Sequence, residues 1–333
     1  LEEEVNKIEG NYFAYESGEK KLVEDLVEPE KDIPNFSHEH IDAILENINI
    51  DAIKQKRFRV LSDMINASAC VLDPYFFEKL GVELVPINNI PNGNFAHRPE
   101  PLRENLVEVS RIAKEKNIDI GFVHDPDADR LVIIDENGEV IFEECTIALA
   151  VENILSKNYG KNIAVNLSTS RMSKDIASKY GGECFLTKVG EGNVVEGMAK
   201  CNAIIGGEGN GGVIYPKINT ARDSFVGIGL ILELMAERGR KISELVEELP
   251  KYFMKKDKYQ LGVDLKEIYE KLKIIFSDAE VDEQDGIKFD FPDSSWIHLR
   301  PSNTEPIIRL IGEAKTQIRI NELFSAVQPL TEK

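Results

Sequence analysis

Apolar positions along this chain follow two alternating rhythms. From Ser37, a capping residue, Ile41, Ile44, Leu45 and Ile48 fall on one face of a helix. Arg57 to Asp63 reads as a strand, Cys70 to Leu80 as a helix stopped by Gly81, and Glu83 to Ile87 as a second strand. A helix from about Asn105 to Lys116 leads to two apolar runs, Ile120–Val123 and Leu131–Ile134. The turn Glu136-Asn137-Gly138 then directs Glu139–Phe142 back as a further strand. The alternation restarts with Ile163–Leu167, a helix capped by Ser168-Thr169-Ser170 and ended by Gly181-Gly182, strand Cys184–Lys188, and helix Val194–Lys200. Ala203-Ile204-Ile205 enters a glycine-rich loop, and Ser224 to about Arg238 is a long helix with an apolar face.

The last stretch changes character. A helix over Leu265–Phe276 sits among short strands, with Gly286–Phe291, Trp296–Leu299 and Ile307–Ile311 in quick succession. These patterns predict an α/β protein: two consecutive α/β domains, at 37–145 and 146–255, then a small α+β domain with an antiparallel sheet at 256–333. Residues 1–36 read as the tail of a helix (Leu1, Val5, Ile8) and a polar linker marked by Pro29 and Pro34. The matching order of elements in the first two domains raises the question of a divergent repeat.

Composition narrows the function classes. The chain has 333 residues, 42% hydrophobic and 30% charged, as expected of a soluble globular protein with proper cores. Its formal charge of −19, from 40 basic and 59 acidic residues, argues against nucleic-acid or membrane-surface binding. The longest apolar run, Val226–Leu232, is too short to cross a bilayer, and the opening Leu1-Glu2-Glu3-Glu4 carries no signal for secretion. Cys70, Cys145, Cys184 and Cys201 are scattered without a CxxC pair, the usage of reduced, mostly buried thiols in a cytoplasmic protein.

Three segments carry candidate chemistry. In Asp125-Pro126-Asp127-Ala128-Asp129-Arg130, carboxylates at alternate positions of a tight interstrand loop can converge on one hard cation of the Mg2+ type. Arg130 adds a fork for a phosphate oxygen beside it. An EF-hand reading fails, because Arg130 stands at the sixth position, where the sharp turn needs glycine. A solvated Asp-rich turn is the plain alternative. In Gly206-Gly207-Glu208-Gly209-Asn210-Gly211-Gly212, glycines let backbone approach a ligand while Glu208 and Asn210 offer groups suited to sugar hydroxyls, although a simple glycine turn fits as well. In Arg300-Pro301-Ser302-Asn303-Thr304-Glu305-Pro306, followed by Arg309, a proline-stiffened turn combines guanidinium, hydroxyl and backbone N–H donors for phosphate; its plain alternative is a surface turn that caps itself. Lys188 and Arg222-Asp223 are weaker signals, and no histidine stands at metal-ligand or triad spacing.

Taken in order, the three segments resemble the α-D-phosphohexomutase family of phosphoglucomutases, phosphomannomutases and phosphoglucosamine mutases. DPDADR looks like that family's metal loop, GEGNGG like its sugar-recognition loop and RPSNTEP like its phosphate loop. Leu61–Ala69 is similar to the strand-to-helix entry of its second domain, with Ser68 where glycine is usual. The resemblance covers about residues 37–325 and implies interconversion of 1-phospho and 6-phospho hexoses or hexosamines through a phosphoserine and a bisphosphate intermediate. It implies Mg2+ on Asp125, Asp127 and Asp129, with Arg130 and Lys188 as catalytic groups. Glu208 and Asn210 would grip the sugar, and Arg300, Ser302, Asn303, Thr304 and Arg309 the distal phosphate.

Departures from the family pattern qualify this. The resemblance implies a phosphorylated serine in a first domain, within a Ser-His-Asn-Pro type of loop; Ser68, Ser168 and Ser170 all lack the following His-Asn. Residues 1–36 then look like the tail of that missing first domain, and the chain is expected to be inactive alone. Its other reading is a non-catalytic binder of sugar phosphates that naturally lacks the domain. Asn210 stands where serine is common in the sugar loop and Gly212 where histidine often is, which leaves the preferred sugar open.

Overall fold

The structure, a computed structural model, describes residues 36–260, 264–302 and 305–331. The expected helix tail and linker at 1–35 lie outside the described residues, as do Asn303 and Thr304.

The first sheet takes β1 (Arg59–Asp63), β2 (Glu83–Ile87), β3 (Ile120–His124) and β4 (Leu131–Ile134) in the order β2-β1-β3-β4. The first three are parallel and β4 returns antiparallel beside β3. Helices α1 (Phe36–Leu45), α2 (Ile50–Lys56), α3 (Ala69–Leu80) and α4 (Val107–Lys116) accompany it. After α5 (Glu144–Lys157) the pattern repeats. Strands β5 (Ile163–Asn166), β6 (Cys184–Thr187), β7 (Ile205–Glu208) and β8 (Gly212–Ile214) run in the order β6-β5-β7-β8, again three parallel strands and one antiparallel edge. Helices α6 (Met172–Lys179), α7 (Glu191–Cys201), α8 (Ser224–Arg238) and α9 (Ile242–Glu248) belong to this half. The shared strand order supports the repeat suspected from the sequence.

The third sheet is antiparallel throughout: β9 (Phe253–Gln260), β10 (Glu280–Asp282), β11 (Ile287–Asp290), β12 (Trp296–Pro301) and β13 (Ile307–Ala314), in the order β10-β11-β12-β13-β9. Helices α10 (Leu265–Ile275) and α11 (Gln317–Thr331) supply buried side chains to its apolar face, with Ile268, Leu272, Leu323 and Phe324 set against Ile308 and Leu310. The first two sheets instead share one continuous core, in which Phe76 and Phe122 join Ile147, Val165 and Ile205. α8 is its spine: Asp223 caps it by accepting from Phe225 N and Val226 N, and it packs on α2, α5, β4 and β8. Residues 37–333 form one compact unit.

Three expectations need correction. Glu139–Phe142 is not a strand. The Asp135 carboxylate takes the N–H groups of Asn137 and Glu139, and only an isolated bridge joins Ile134 to Val140. The glycine loop is shorter than expected, because Gly206, Gly207 and Glu208 lie within β7. A Cβ on Gly206 would meet Ala164 O at 2.4 Å, so glycine there serves close strand approach rather than turning. The thiols are free, yet only Cys145 is fully buried; Cys184 sits on the edge strand β6, and Cys70 and Cys201 lie near helix ends. Among the described residues no helix is long and apolar enough to cross a membrane.

Candidate functional site

In each half of the repeat, the turn between the last parallel strand and its antiparallel neighbour holds candidate chemistry. Between β3 and β4 the chain curls back through Ala128 at φ +59°. Asp125 Oδ1 accepts from Asp129 N and Arg130 N, both at 3.1 Å, and the loop is anchored outside by Ser68, which donates from N and Oγ to Pro126 O, and by Ser224 N to Ala128 O. One carboxylate oxygen from each of Asp125, Asp127 and Asp129 lies within 4.8 Å of the others. Asp125 is buried, Asp129 half-buried and Asp127 exposed. Burial pushes the Asp125 carboxyl up to about 7 against the Arg130 N–H, with the negative charge of Asp129 and Asp127 adding to the rise. Arg130 Nε stands 3.4 Å from Asp125 Oδ2 and 3.5 Å from Asp129 Oδ1, an oxygen that accepts no hydrogen bond. An all-carboxylate set with an orphaned buried oxygen fits a hard divalent cation.

At the end of β7, Glu208 is only 4% exposed and fully engaged. Its Oε1 accepts from Asn166 Nδ2 at 2.7 Å and Gly190 N at 2.9 Å, and its Oε2 takes Arg222 Nη1 at 2.5 Å. Asn210 sits one turn further, its Oδ1 accepting from Gly212 N at 3.3 Å. The two loops touch directly, since Leu131 N donates to Gly211 O at 3.1 Å. Gly211 has φ +92°, and a Cβ there would meet Leu131 O at 2.3 Å. Gly211→Ala is therefore expected to cost about 1–3 kcal/mol of unfolding free energy. Chemical denaturation checks this, and an unchanged midpoint would show that the loops tolerate separation.

In the third sheet Arg300 on β12 pairs in register with Arg309 on β13, which in turn pairs with Lys258 on β9. Direct register partners share a face, so three cations form a row across three strands. Arg300 is buried with Nε 3.1 Å from Asp285 Oδ2; Arg309 Nη2 meets Glu305 Oε2 at 2.6 Å. Ser302 is half-buried and its N donates to Ile307 O.

A cavity of about 650 Å3 joins these regions. Its lining includes Arg130 beside the carboxylates, Asn210 from the glycine turn, Arg309 and Lys258 from the cationic row, and Arg98 from the loop after β2. The structure thus brings Arg130, Asn210 and Arg309, one residue in or beside each candidate segment, to one cleft, whereas Asp125, Asp127, Asp129, Glu208, Arg300 and Ser302 do not line it. Lys188 is not among them: it is exposed after β6 and lines a separate cavity of about 640 Å3 with Asn193, Lys200 and Gln284.

The floor of the seam between the second and third sheets is polar. Glu144, 1% exposed, accepts from Ser170 N at 2.8 Å and meets Lys256 Nζ at 3.2 Å. Burial pushes its carboxyl up to about 8 against the pull of Lys256. Near neutrality Glu144 then holds its proton, while Glu143 lies 2.8 Å from the same Lys256 Nζ. His298 bridges Ser168 Oγ and Asp285 O, and burial lowers its pKa to about 4. Above its ordinary pKa of 4.5, Glu144 loses its proton in the unfolded chain while the folded chain keeps it up to about pH 8. Stability should fall as pH rises across that window, by roughly 3–4 kcal/mol between pH 5 and 8. Glu144→Gln should flatten the decline in thermal melts; an unchanged slope would assign it to other groups.

Sequence reasoning noted Arg222 without giving it a role, and missed Lys258 and one buried trio. Arg222, a weak signal in the chain, donates to Asp129, Glu208 and Glu191. Lys258 was hidden in the charged run Lys255–Lys258, where only strand register gives it meaning. His124 lies between Asp73 Oδ1, at 3.3 Å, and Ser224 Oγ, at 2.8 Å, an order that mimics a catalytic triad. All three side chains are 0% exposed, so the trio fastens β3 to α3 and α8 rather than meeting substrate.

Three family models match the chain: phosphoglucomutase/phosphomannomutase alpha/beta/alpha domain II over residues 38–138, domain III over 143–253, and the C-terminal domain over 241–329. α5 starts at Glu144, so a boundary at 145/146 passes through its first turn, whereas the matched segments break before it. A phosphoglucomutase/phosphomannomutase of Thermococcus kodakarensis is 37% identical over 313 residues, 93% of this chain and 66% of its own length. A probable phosphoglucosamine mutase of Pyrococcus abyssi is 32% identical, over 97% of this chain and 74% of its own. A solved family protein from Burkholderia thailandensis superposes with a TM-score of 0.77 at 27% identity, covering 89% of this chain and 66% of that one. The chain spans about two thirds of the length of the curated relatives it matches.

Proposed function

Because this chain belongs to the phosphoglucomutase/phosphomannomutase family, we propose that it carries the metal, sugar and phosphate sites of an enzyme that moves a phosphoryl group between the C1 and C6 oxygens of a hexose or hexosamine phosphate. The observation that carries this reading is the shared cleft, where Arg130, Asn210 and Arg309 line one cavity of about 650 Å3. Its volume suits a ligand of sugar-phosphate size.

In this reading Asp125, Asp127 and Asp129 hold Mg2+, which supplies neutralisation of charge on the transferring phosphoryl group. Arg130 orients an oxygen of that group, its Nε already aimed between Asp125 and Asp129. Asn210 and Glu208 recognise sugar hydroxyls; Glu208 does so with its carboxylate oriented by Arg222. Arg300, Arg309 and Ser302 grip the phosphate that is not reacting, together with Asn303 and Thr304. That row concentrates positive charge locally, which is how a chain of net charge −19 can attract an anion. The acid/base role of Lys188 requires a movement that carries its ammonium from the neighbouring cavity to the cleft. No serine in the three matched segments is followed by His-Asn, so these residues would bind a sugar phosphate without themselves supplying the phosphoserine that the resemblance implies.

Calorimetric titration with glucose, mannose and glucosamine 6-phosphates, with and without Mg2+, tests the binding. Mutase assays primed with a hexose bisphosphate test the missing nucleophile. Sugar-phosphate binding without sustained turnover is the expected result. Absence of binding would overturn the cleft reading, and sustained turnover by this chain would overturn the missing nucleophile.

A further inference from the structure

Arg222 is the most heavily coordinated cation in the cleft region, and the proposed chemistry gives it no direct contact with substrate. It is 15% exposed and spreads its three nitrogens over three carboxylates: Nη2 to Asp129, Nη1 to Glu208 at 2.5 Å and Nε to Glu191 at 3.2 Å. Its backbone N also donates to Glu191 Oε2 at 3.0 Å. Asp129 lies in the turn of the first repeat, Glu208 ends the strand β7 that enters the equivalent turn of the second, and Glu191 opens α7. One guanidinium therefore ties together the two halves of the cleft. The tie is built in, because the next residue, Asp223, caps α8 and is held by His40 at 2.7 Å, while Gly212 leaves room for the Arg222 stem, which a Cβ would meet at 2.3 Å.

Two consequences follow, with opposite signs. At Asp129, Arg222 neutralises a carboxylate in the cluster that faces the cation, and its fixed positive charge opposes a divalent ion twice as strongly as a single charge. At Glu208, the same guanidinium holds the carboxylate in one orientation, together with Asn166 Nδ2 and Gly190 N. We propose that Arg222 is an internal counter-cation that positions the sugar loop while restraining the affinity of the carboxylate loop for divalent metal. This rests on the cleft reading given above. It explains why a cluster of three acids beside a buried Glu208 and a half-exposed Glu191 can stay folded before any cation arrives: the guanidinium serves in its place. A fork is needed for this, since a point charge cannot reach three carboxylates at once.

The test uses the whole chain, free Mn2+ measured by electron paramagnetic resonance, and glucose 6-phosphate titrated by calorimetry. Arg222→Gln should bind Mn2+ about tenfold more tightly than the parent and the sugar phosphate about tenfold more weakly. Arg222→Lys keeps the charge without the fork, so its Mn2+ affinity should stay within about threefold of the parent while sugar-phosphate binding still weakens. A residue that merely props up the structure would lower both affinities together, and that outcome overturns the inference, as would two unchanged affinities. If the parent chain binds Mn2+ and sugar phosphate, the cleft reading survives such a result. If the parent binds neither, that reading fails first and takes this inference with it.

Discussion

Asp127→Ala is expected to weaken Mn2+ binding by more than about 100-fold, roughly 3 kcal/mol, while leaving the metal-free fold intact. Asp127 is exposed and its carboxylate takes no hydrogen bond or ion pair from the described residues, so its removal takes away a ligand and little else. Even the loss of an outer-sphere partner commonly costs 10–100-fold in metal affinity, and a direct ligand should cost more. The metal-free melting temperature should hold or rise slightly, because one of three like charges within 4.8 Å is gone. Asp125 behaves differently. Its Oδ1 holds the N–H groups of Asp129 and Arg130, so Asp125→Ala should lose metal and also about 2–3 kcal/mol of stability. Asp125→Asn keeps an acceptor for those N–H groups and should lose metal while holding the loop. Calorimetry with Mn2+ and melts with and without Mg2+ separate the three variants. Undiminished Mn2+ binding by both Asp127→Ala and Asp125→Asn would remove the loop from the metal site.

The sequence showed the parallel strands and the helices with a clean apolar stripe, such as α8 and α10, almost to the residue. It failed where burial is not one-sided. α5 buries Glu144, Thr146, Glu152 and Asn153 along with its apolar residues, because it lies between two sheets and meets polar partners on both sides, so no stripe marks it. α2 is seven residues long, too short for a period to be read, and the proline inside α11 argues locally against a helix. The three site segments were legible because each is contiguous and its residue types announce their chemistry. Arg222 was not, since its partners lie 93, 31 and 14 residues away and only the folded chain gathers them. Glu208 was read as a free carboxylate for the same reason; the residues that occupy it are scattered over Asn166, Gly190 and Arg222.

Arg300→Ala should produce the other large effect, on stability and on ligand binding at once. Cross-strand neighbours of like charge destabilise a sheet, yet Arg300, Arg309 and Lys258 stand in direct register on β12, β13 and β9. Asp285 balances Arg300 through Nε alone, and Glu305 balances Arg309, which leaves Lys258 at the open end of the row. An anion laid along the row offsets this repulsion, and its grip should follow burial, since charge acts more strongly where water is excluded. Arg300 is 4% exposed, Arg309 half-buried and Lys258 exposed. Truncating Arg300 should therefore weaken sugar-phosphate binding by about 2–4 kcal/mol, Arg309 by less, and Lys258 by under about 1 kcal/mol. Stability should separate the positions further. Arg300→Ala strands a carboxylate at the seam, where among the described residues Asp285 Oδ2 keeps only Val189 N, and should cost about 3–5 kcal/mol. Arg309→Ala relieves repulsion and should cost little, so its binding defect can be read without a folding defect. Titrations at two salt concentrations add a check, because the Lys258 contribution should fade with salt while that of Arg300 persists. Equal affinities across the three variants would return the turn to an ordinary surface loop and leave the cationic row without a ligand to explain it.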